Sequence, residues 1–455
     1  MKILIGGAGE VGFHLAKLLS NEMNDIVIMD MDKDKLLMIE NSLDVMAYRG
    51  DITSFKALRE VGIDDTDIFI SVTHLQNTNL TSASIAKDLG AKRTLARISN
   101  PEFLYKENQF WVQGMGIDAL ISPEKLAADE IYSLVQQSAF NAMHPFANGQ
   151  LFMVGTVLDA DCKILDKQYK DMYLTTKGGE DNLLMPIAII RSNERGEYQT
   201  IIPEAETEFR IDDHVYFIVK KAGILEVYKI LGKKQEYFKN VIVLGGGSIG
   251  VKVAKLLKDN KHNVKLLEIN RNKAFDLADD LNNILIINGD GRDGELLLEE
   301  GISDSDAFIA VTGSSETNIM SCLLAKSKGV KKTIALVENI DYIHLSQEVG
   351  INAFINKKLL TADSIFRYIR QGSVMDVTGI SDLDAEVLEF RIHENSEIAF
   401  KKVSDFPFKE GAIIAGIVRR NDGFIPTKDF IIEPKDHVVV FSQANLIPKV
   451  TKYFK

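Results

Sequence analysis

Short apolar runs alternate with longer segments of helical periodicity along the N-terminal part of the chain. The apolar runs cover residues 2–6, 26–30, 45–48, 67–72 and 94–98. The segments with helical spacing of apolar positions include residues 12–20, 33–41, 53–61 and 77–89. Strands that are buried on both faces have continuous apolar sequences, and parallel strands need a helical connection. The pattern therefore predicts a doubly wound parallel domain of the α/β class.

The pattern changes after residue 121. Ser122 and Pro123 predict the start of a helix over residues 122–137, because serine caps helices and proline suits their first position. A matching helix is predicted over residues 356–371. We regard both as candidate crossover or dimer helices, with an ordinary core role as the alternative. Short candidate strands follow each helix, at 152–158, 187–191, 206–211 and 214–219 and again at 385–392, 413–419, 430–432 and 437–441. These shorter strands predict a small α+β domain after each helix.

The chain contains the same pattern twice. ILIGGAGEVG at residues 3–12 matches VIVLGGGSIG at 241–250, and YRGD at 48–51 matches INGD at 287–290. IFISVT, which ends at Thr73, matches FIAVT, which ends at Thr312, and a Thr-Asn pair follows at Asn79 and at Asn318. Over this whole stretch the register between the copies changes by a single residue. Similarity maintained in this way indicates a tandem duplication.

The duplication predicts two doubly wound Rossmann-like domains, each followed by a small α+β domain. The predicted boundaries are 1–140 and 233–375 for the two Rossmann-like domains and 141–232 and 376–455 for the two small ones. The small domains also resemble each other, since AIIRSN at 188–193 matches GIVRRN at 416–421 and the tripeptide DHV occurs at 213–215 and 436–438.

The first glycine run predicts a dinucleotide site. Gly7, Gly9 and Gly12 lie between a predicted strand and a predicted helix. In such a loop the first glycine permits the turn, the second lets the backbone approach a pyrophosphate, and the third lets the helix pack closely on the strand. Asp30 ends the next strand, where a carboxylate accepts ribose hydroxyls and repels a 2′-phosphate. This favours NAD(H) over NADP(H); the alternative is a plain glycine turn followed by a solvated aspartate.

The second glycine run repeats the arrangement with Gly245, Gly247 and Gly250, and Glu268 stands where Asp30 does. Arg271 lies close by in sequence and would suit an additional phosphate. NAD(H), ADP and ATP are therefore all candidate ligands of the second site. A loop that no longer binds nucleotide is the alternative.

Other polar residues follow the strands at the edge where such domains bind ligands. Thr73 and Thr312 occupy equivalent positions and are predicted to contact nucleotide, whereas His74 has a glycine as its counterpart. Arg97 ends the fifth strand in the first copy only, so it is a candidate for a phosphate contact, a subunit contact or a structural ion pair. Asp51 and its equivalent lie near the ribose position or cap the helices that follow.

Composition excludes several classes of function. The chain has 455 residues, 45% of them hydrophobic and 26% charged, with a net charge of −12. An acidic balance argues against nucleic acid as a partner, because phosphate backbones are bound by clustered Lys and Arg. The two cysteines, Cys162 and Cys322, are far apart, which favours a reducing cytoplasm. No apolar run approaches the roughly 18 residues needed to cross a bilayer.

Acid–base chemistry is not evident in the sequence. A dehydrogenase needs a proton donor or acceptor beside the nicotinamide, but the two halves share no His or Lys suited to that role. The histidines form no metal-binding spacing. We therefore expect a protein that is not an enzyme, has no metal site and responds to nucleotide by a change of conformation.

These duplicated motifs resemble the RCK domain (regulator of potassium conductance, also called KTN). Two RCK pairs in one chain are similar to the TrkA-like family, the peripheral NAD-binding subunits of bacterial Trk potassium uptake systems. The resemblance implies a cytoplasmic regulatory subunit that forms a ring of RCK domains beneath a membrane-embedded, TrkH-like potassium-translocating subunit. Nucleotide binding to the ring would gate potassium flux. The alternatives are an NAD-dependent oxidoreductase and a nucleotide-sensing scaffold of another channel.

Applied position by position, the resemblance assigns two sets of cofactor-binding residues. The first comprises Gly7, Ala8, Gly9, Glu10, Val11, Asp30, Thr73, His74 and Arg97. The second comprises Gly245, Gly246, Gly247, Ser248, Ile249, Glu268 and Thr312. Some RCK domains carry an arginine after the second glycine to hold ATP phosphates, but here Glu10 and Ser248 stand at that position. Glu10 would repel additional phosphate charge.

Overall fold

A parallel six-stranded sheet forms the first part of the computed structural model, which describes residues 1–20, 24–175, 182–192, 198–339, 350–369, 374–379, 385–408 and 411–454. Its strands are β1 (Lys2–Gly6), β2 (Asp25–Asp30), β3 (Met46–Arg49), β4 (Ile68–Ser71), β5 (Arg93–Arg97) and β6 (Ala119–Ile121). They lie in the order β3-β2-β1-β4-β5-β6. Its helices are α1 (Glu10–Ser20), α2 (Lys33–Ser42), α3 (Phe55–Glu60), α4 (Gln76–Asp88), α5 (Gln109–Gly114) and α6 (Pro123–Gln136). This strand order confirms the doubly wound prediction.

An antiparallel sheet follows. Its strands are β7 (Ala142–Phe146), β8 (Leu151–Val157), β9 (Leu184–Ser192), β10 (Tyr198–Ile201) and β11 (His214–Lys220), in the order β10-β9-β11-β8-β7. Two short helices accompany it, α7 (Tyr169–Thr175) and α8 (Ile224–Ile230).

The second half repeats both layers. Its parallel sheet consists of β12 (Asn240–Leu244), β13 (Asn263–Glu268), β14 (Leu285–Asn288), β15 (Ala307–Ala310), β16 (Lys332–Leu336) and β17 (Ala353–Ile355). The order is β14-β13-β12-β15-β16-β17, equivalent to that of the first sheet. Its helices are α9 (Ser248–Asp259), α10 (Arg271–Asp280), α11 (Gly294–Glu299), α12 (Ser315–Ser327) and α13 (Lys357–Ile369). The end of the predicted helix 356–371 lies outside the described residues.

The final antiparallel sheet resembles the earlier one. It contains β18 (Val374–Gly379), β19 (Ala385–Arg391), β20 (Ala412–Arg419), β21 (Asp422–Phe424) and β22 (His437–Gln443), in the order β18-β19-β22-β20-β21, and is followed by α14 (Ile447–Phe454). Among the described helices, none is both long and apolar enough to cross a membrane.

Two predicted strands are wrong. Residues 206–211 contribute isolated bridges, such as Phe209 with Leu165, and residues 430–432 contribute one bridge between Ile431 and Lys402. The strands that complete these sheets are the hairpin arms β10 and β21. Between β20 and β21, Arg420 and Asn421 both have positive φ, so the hairpin closes through a two-residue turn that alternation of apolar residues does not reveal.

The two halves exchange helices. Helix α13 of the second half packs on α1 of the first, α6 of the first half packs on α9 of the second, and α6 and α13 contact each other. Buried Leu15 and Leu19 on α1 share a core with Ile365 and Phe366 on α13. In the equivalent core, Ile131 and Leu134 on α6 pack with Val253 and Leu257 on α9. The two predicted crossover helices therefore do cross to the opposite half, and their apolar faces also form part of its hydrophobic core.

A basic side chain hydrogen-bonds the backbone at or just beyond the C-terminal end of each exchanged helix. The Arg93 guanidinium, at the start of β5, donates to the carbonyls of Tyr368 and Ile369 at 3.4 and 3.3 Å, at the end of α13. At the equivalent position, Lys332 donates to the carbonyl of Phe140, beyond the end of α6. The Arg93 contact is favourable because a cation suits a helix C-terminus, where the last carbonyls have no intrahelical partner.

The two helix pairs carry reversed charges. On the first pair, the carboxylate of Glu10 at the start of α1 forms an ion pair with Lys358 on α13. On the pair formed by α6 and α9, the basic residue is on α9. Lys252 has a buried ammonium that lacks a hydrogen-bond partner among the described residues. Burial lowers the pKa of Lys252, and the carboxylates of Glu124 and Asp129 on α6 act in the opposite direction.

The repeated motifs of the small domains form the same ion pair twice. Arg191 binds both carboxylate oxygens of Asp213 at 2.7 Å, and Arg419 binds both oxygens of Asp436 at 2.9 and 2.8 Å. Both aspartates are 1% exposed. A bidentate guanidinium–carboxylate pair fixes the geometry of its two partners. It links β9 to the start of β11 in one domain and β20 to the start of β22 in the other.

Lys332 makes the stability of the exchange depend on pH. Burial lowers the pKa of its ammonium to about 7, with the charge of Lys233 as a further cause. The unfolded chain therefore binds a proton more tightly than the folded chain, and folded stability rises with pH between the two pKa values. We predict that the free energy of unfolding of the wild type, relative to Lys332→Met, increases by about 2 kcal/mol between pH 7 and pH 9. Urea unfolding at each pH measures it, and a difference that does not change with pH would contradict the prediction.

Candidate nucleotide-binding site

A cavity of about 540 Å³ lies at the carboxyl edge of the first parallel sheet. The glycine loop between β1 and α1 forms one wall, and the segments that follow β2, β3 and β4 complete it. The predicted site residues that line it are Gly7, Gly9, Glu10, Val11, Asp30, Thr73, His74 and Arg97. Ala8 is buried in the loop, and its backbone N–H donates to the carboxylate of Asp30. The structure therefore brings the first predicted set together.

The three glycines of the loop do different work. Gly7 has φ of +114°, and a Cβ there would lie 3.0 Å from the backbone nitrogen of Thr73. A Cβ at Gly12 would lie 1.9 Å from the carbonyl oxygen of Gly7, so only glycine allows α1 to start this close to β1. Gly9 is different, because a Cβ there meets nothing within 4 Å. Packing therefore does not require a glycine at position 9, which lies on the wall of the cavity.

Asp30 holds the loop in place. One carboxylate oxygen accepts the backbone N–H of Ala8 at 2.6 Å, and the other accepts the N–H of Asp32 at 2.9 Å. Each carboxylate oxygen has a second lone pair. Asp30 therefore keeps acceptor capacity facing the cavity while it fixes the turn.

Asn79 is a positioning residue whose role the sequence analysis missed. Its Oδ1 accepts from the backbone N–H of Thr73 at 2.9 Å and from the Thr73 hydroxyl at 2.6 Å. Its Nδ2 donates to the carbonyls of Thr73 and Arg97 at 3.0 and 2.9 Å. One buried amide thus ties together the ends of β4 and β5. The signal was present, since the Thr-Asn pair occurs in both copies.

The cavity concentrates basic side chains in an acidic protein. Lys35, Arg97, Lys357 and Lys358 line it, against Glu10, Asp30 and Asp51. Arg97 lines the cavity, and no ion pair joins its guanidinium to a carboxylate in the part of the chain that the structure describes. Asp51 accepts the backbone N–H and the hydroxyl of Thr53, both at 2.8 Å. It closes a turn and does not cap α3, whose cap is Ser54.

The second glycine loop has the same backbone design. Gly245 has φ of +106°, and a Cβ there would lie 3.0 Å from the backbone nitrogen of Thr312. The N–H of Gly246 donates to Glu268 at 3.0 Å, as Ala8 does to Asp30. Asn318 accepts from the N–H and hydroxyl of Thr312 at 2.9 and 2.7 Å. A Cβ placed on Gly247 would meet nothing within 4 Å. Ser248 and Ile249 are the first two residues of α9.

The second site differs in its side chains. Glu268 is 6% exposed, and Lys273 lies 3.2 Å from its carboxylate. Burial acts to raise the pKa of the Glu268 carboxyl, but the hydrogen bonds from Asn270, Lys273 and Gly246 bring the pKa below its usual value. The Glu268 carboxylate therefore has an ion-pair partner in addition to two backbone N–H donors, whereas the Asp30 carboxylate has the two N–H donors. The Arg271 guanidinium stacks over the ring of Phe275 at 5.6 Å.

Residues from outside the first parallel sheet also line the first cavity, and the sequence alone did not indicate them. Lys357, Lys358 and Thr361 belong to α13 of the second half, and Pro123 begins α6. No local sequence signal reports that α13 lies on α1, because the contact exists only after the halves exchange helices.

Two protein families match the chain. The TrkA-N domain matches residues 3–123 and 241–357, and the TrkA-C domain matches residues 387–455. These matches cover both parallel sheets and the part of the last antiparallel sheet that follows residue 386.

Curated relatives match over the full length. Trk system potassium uptake protein TrkA homolog 1 of Methanosarcina mazei is 31% identical over 463 residues, covering 100% of both chains. Trk system potassium uptake protein TrkA of Haemophilus influenzae is 32% identical over 480 residues, covering 100% of this chain and 99% of the relative.

Solved structures share the fold at low identity. The crystal structure of the GsuK RCK domain aligns with a TM-score of 0.59 at 14% identity and covers 99% of this chain and 94% of its own. The structure described as GsuK channel bound to NAD aligns with a TM-score of 0.57 at 15% identity, covering 99% of this chain and 78% of its own.

Gly9 provides a clean test of the first loop. We predict that Gly9→Val folds normally, because the Cβ direction is open, and that it binds NADH at least about tenfold more weakly, because the side chain enters the space of the ligand. Calorimetric titration measures the affinity. Gly247→Val is the matched control, since its Cβ direction is equally open in the second loop. Unchanged NADH affinity in Gly9→Val would contradict this assignment of the loop.

Asn79 tests how the strand ends are positioned. Asn79→Ala leaves the partly buried N–H of Thr73 and the carbonyl of Arg97 without their side-chain partner, so we predict a loss of about 2–4 kcal/mol in the free energy of unfolding. NADH affinity should fall as well. Asn318→Ala should destabilise the protein to a similar extent without weakening the first site. Equal stability of Asn79→Ala and the wild type in urea unfolding would refute the role.

Proposed function

The chain belongs to the TrkA family of Trk system potassium uptake proteins, and from this premise we propose that it is a nucleotide-sensing regulatory subunit that controls potassium flux through a membrane partner. The single observation that carries the proposal is the cavity of the first half. It combines an open glycine position at the start of α1 with the acceptor Asp30 and several basic side chains.

We propose NAD(H) as the ligand of this cavity. The residues present fit that group: the first N–H groups of α1 have no intrahelical acceptor and suit a pyrophosphate, and Gly9 leaves room for it. Asp30 would accept the ribose hydroxyls of the adenosine and repel the 2′-phosphate of NADP(H). A fold neighbour described as bound to NAD supports this choice.

The second loop would bind nucleotide more weakly. Glu268 is already paired with Lys273, and Arg271 lies on Phe275, so fewer groups are available for a ligand than in the first half. ADP, ATP and NAD(H) are the ligands to compare there. ADP is included because another GsuK structure is described as bound to it.

The proposed partner is a membrane-embedded, TrkH-like potassium-translocating subunit, with this chain peripheral on the cytoplasmic face and self-associated into a ring of RCK domains. Its relatives are named as parts of potassium uptake systems, which supports this placement. We propose four domains divided near residues 140, 232 and 375. A nucleotide would shift the ring only by its different affinities for two ring states.

Nucleotide would act as a ligand and not as a substrate. The residues that line the first cavity include one histidine, His74, which is exposed and has a glycine at the equivalent place in the second half. Steady oxidation of NADH by the purified protein with a panel of carbonyl compounds would overturn this part of the proposal.

Asp30 tests the proposed function. We predict that Asp30→Ala lowers NADH affinity at least about tenfold and removes the NADH dependence of potassium flux in vesicles that contain the chain and its membrane partner. Asp30→Asn should narrow the preference for NADH over NADPH, because the carboxylate charge that repels a 2′-phosphate is lost. Glu268→Ala is the matched control and should leave the tighter site intact. Nucleotide-independent flux in the wild type would refute the regulatory role.

A further inference from the structure

Two lysines of the second half reach the nucleotide cavity of the first half. Lys357 and Lys358 form the start of α13, which lies on α1 through the exchange of helices. Both line the cavity together with Gly9 and Glu10 of the first half. The cavity is therefore built by both halves of the duplication.

The placement of these lysines is unfavourable for the helix itself. The N-terminus of a helix carries a partial positive charge, so acidic residues are preferred in its first turn. Helix α6, the equivalent of α13, follows that preference with Pro123 and Glu124. Helix α13 begins with two lysines instead, although its backbone cap is ordinary: the side chain of Asn356 accepts the N–H of Lys358 at 2.9 Å. Something other than helix stability accounts for the two cations.

Two carboxylates, one from each half of the chain, form ion pairs with these lysines. Glu338, from the second half, lies 2.5 Å from Lys357 and 3.4 Å from Lys358. Burial would raise the pKa of Glu338, but the hydrogen bond and charge of Lys357, with those of Lys358, keep the pKa below its usual value. Glu10 is the other partner of Lys358, and its side chain is 70% exposed, against 21% for Lys358. An ion pair with so exposed a carboxylate contributes little stability and exchanges readily.

Glu10 stands at the first position of α1, where the phosphates of a nucleotide bound by this loop would lie. We propose that Lys358, supported by Lys357, is the cationic contact for those phosphates, provided across the interface by the second half, and that Glu10 competes with the phosphates for it. This rests on the proposed nucleotide site and extends it. Lys358 is mostly buried and held by Glu338, so it is positioned for a phosphate before binding.

The second site lacks this contact. By the equivalence of the two crossover helices, Glu124 occupies the place of Lys358, and Ser248 occupies the place of Glu10. A carboxylate at that place would repel phosphate. We therefore expect the first site to bind phosphate-bearing ligands more tightly than the second site does.

The experiment titrates the full-length protein with NADH, ADP and AMP by calorimetry. Lys358→Met should lower ADP and NADH affinity about tenfold, as expected for the loss of a charge-assisted contact. Glu10→Gln, on an exposed side chain whose loss does not threaten the fold, should raise both affinities about threefold. Lys17→Met, an exposed lysine farther along α1, changes the net charge equally and should have no effect.

A double variant separates a direct contact from an indirect one. If Lys358 acted only by neutralising Glu10, Glu10→Gln/Lys358→Met would bind ADP as well as Glu10→Gln does, and the inference would be overturned. We expect the double variant to bind several-fold more weakly than Glu10→Gln. An unchanged affinity in Lys358→Met, or a decrease in Glu10→Gln, would also overturn it.

The same titrations distinguish this inference from the proposed function. If Asp30→Ala weakens binding but the Lys358 variants do not, the nucleotide site stands and only the contact from the second half fails. If Asp30→Ala leaves binding unchanged, the proposed site fails and the inference fails with it.

Discussion

The exchange of α6 and α13 is the constraint on which the rest of the structure depends. Helix α1 packs on its own sheet and on α13 of the opposite half, and α9 packs in the same way on its own sheet and on α6. Apolar burial is the main favourable term in folding, and neither half obtains it fully alone. The basic residues at the starts of β5 and β16 then fix the far ends of the exchanged helices.

The exchange also brings both halves of the chain to the proposed nucleotide cavity. A loop within a single Rossmann-like domain would report on that domain alone. Here the start of α1 and the start of α13 share one cavity, so a ligand that contacts both is sensitive to their separation. The small domains extend the contact between halves, because Glu389 in β19 accepts the backbone N–H of Ala147 from the first half. The cavity is therefore in direct contact with both halves, and the small domains join the halves at a second place.

Local periodicity predicted most of the fold. Gly7 and Asp30 were predicted from the glycine motif and its spacing, and Thr73 from the rule that ligands bind at the carboxyl edge of such a sheet; the structure places all three around one cavity. The predicted strand 206–211 was wrong because apolar content alone does not show which segment a hairpin turn will pair. Lys358 could not be predicted, since its position depends on packing between distant helices. Asn79 was visible as a repeat, but its role lies in hydrogen bonds made only in the folded state.

The reversed charges on the two helix pairs have a consequence for self-recognition. In the folded chain, Glu10 on α1 meets Lys358 on α13, and Lys252 on α9 lies near Glu124 on α6. If two first halves paired with each other, Glu10 would face Glu124, and if two second halves paired, Lys252 would face Lys358. Like charges disfavour such pairing, and the larger penalty falls on Lys252, whose ammonium is buried, rather than on the exposed Glu10. These charges therefore favour pairing between the two unlike halves of one chain over pairing between two identical halves.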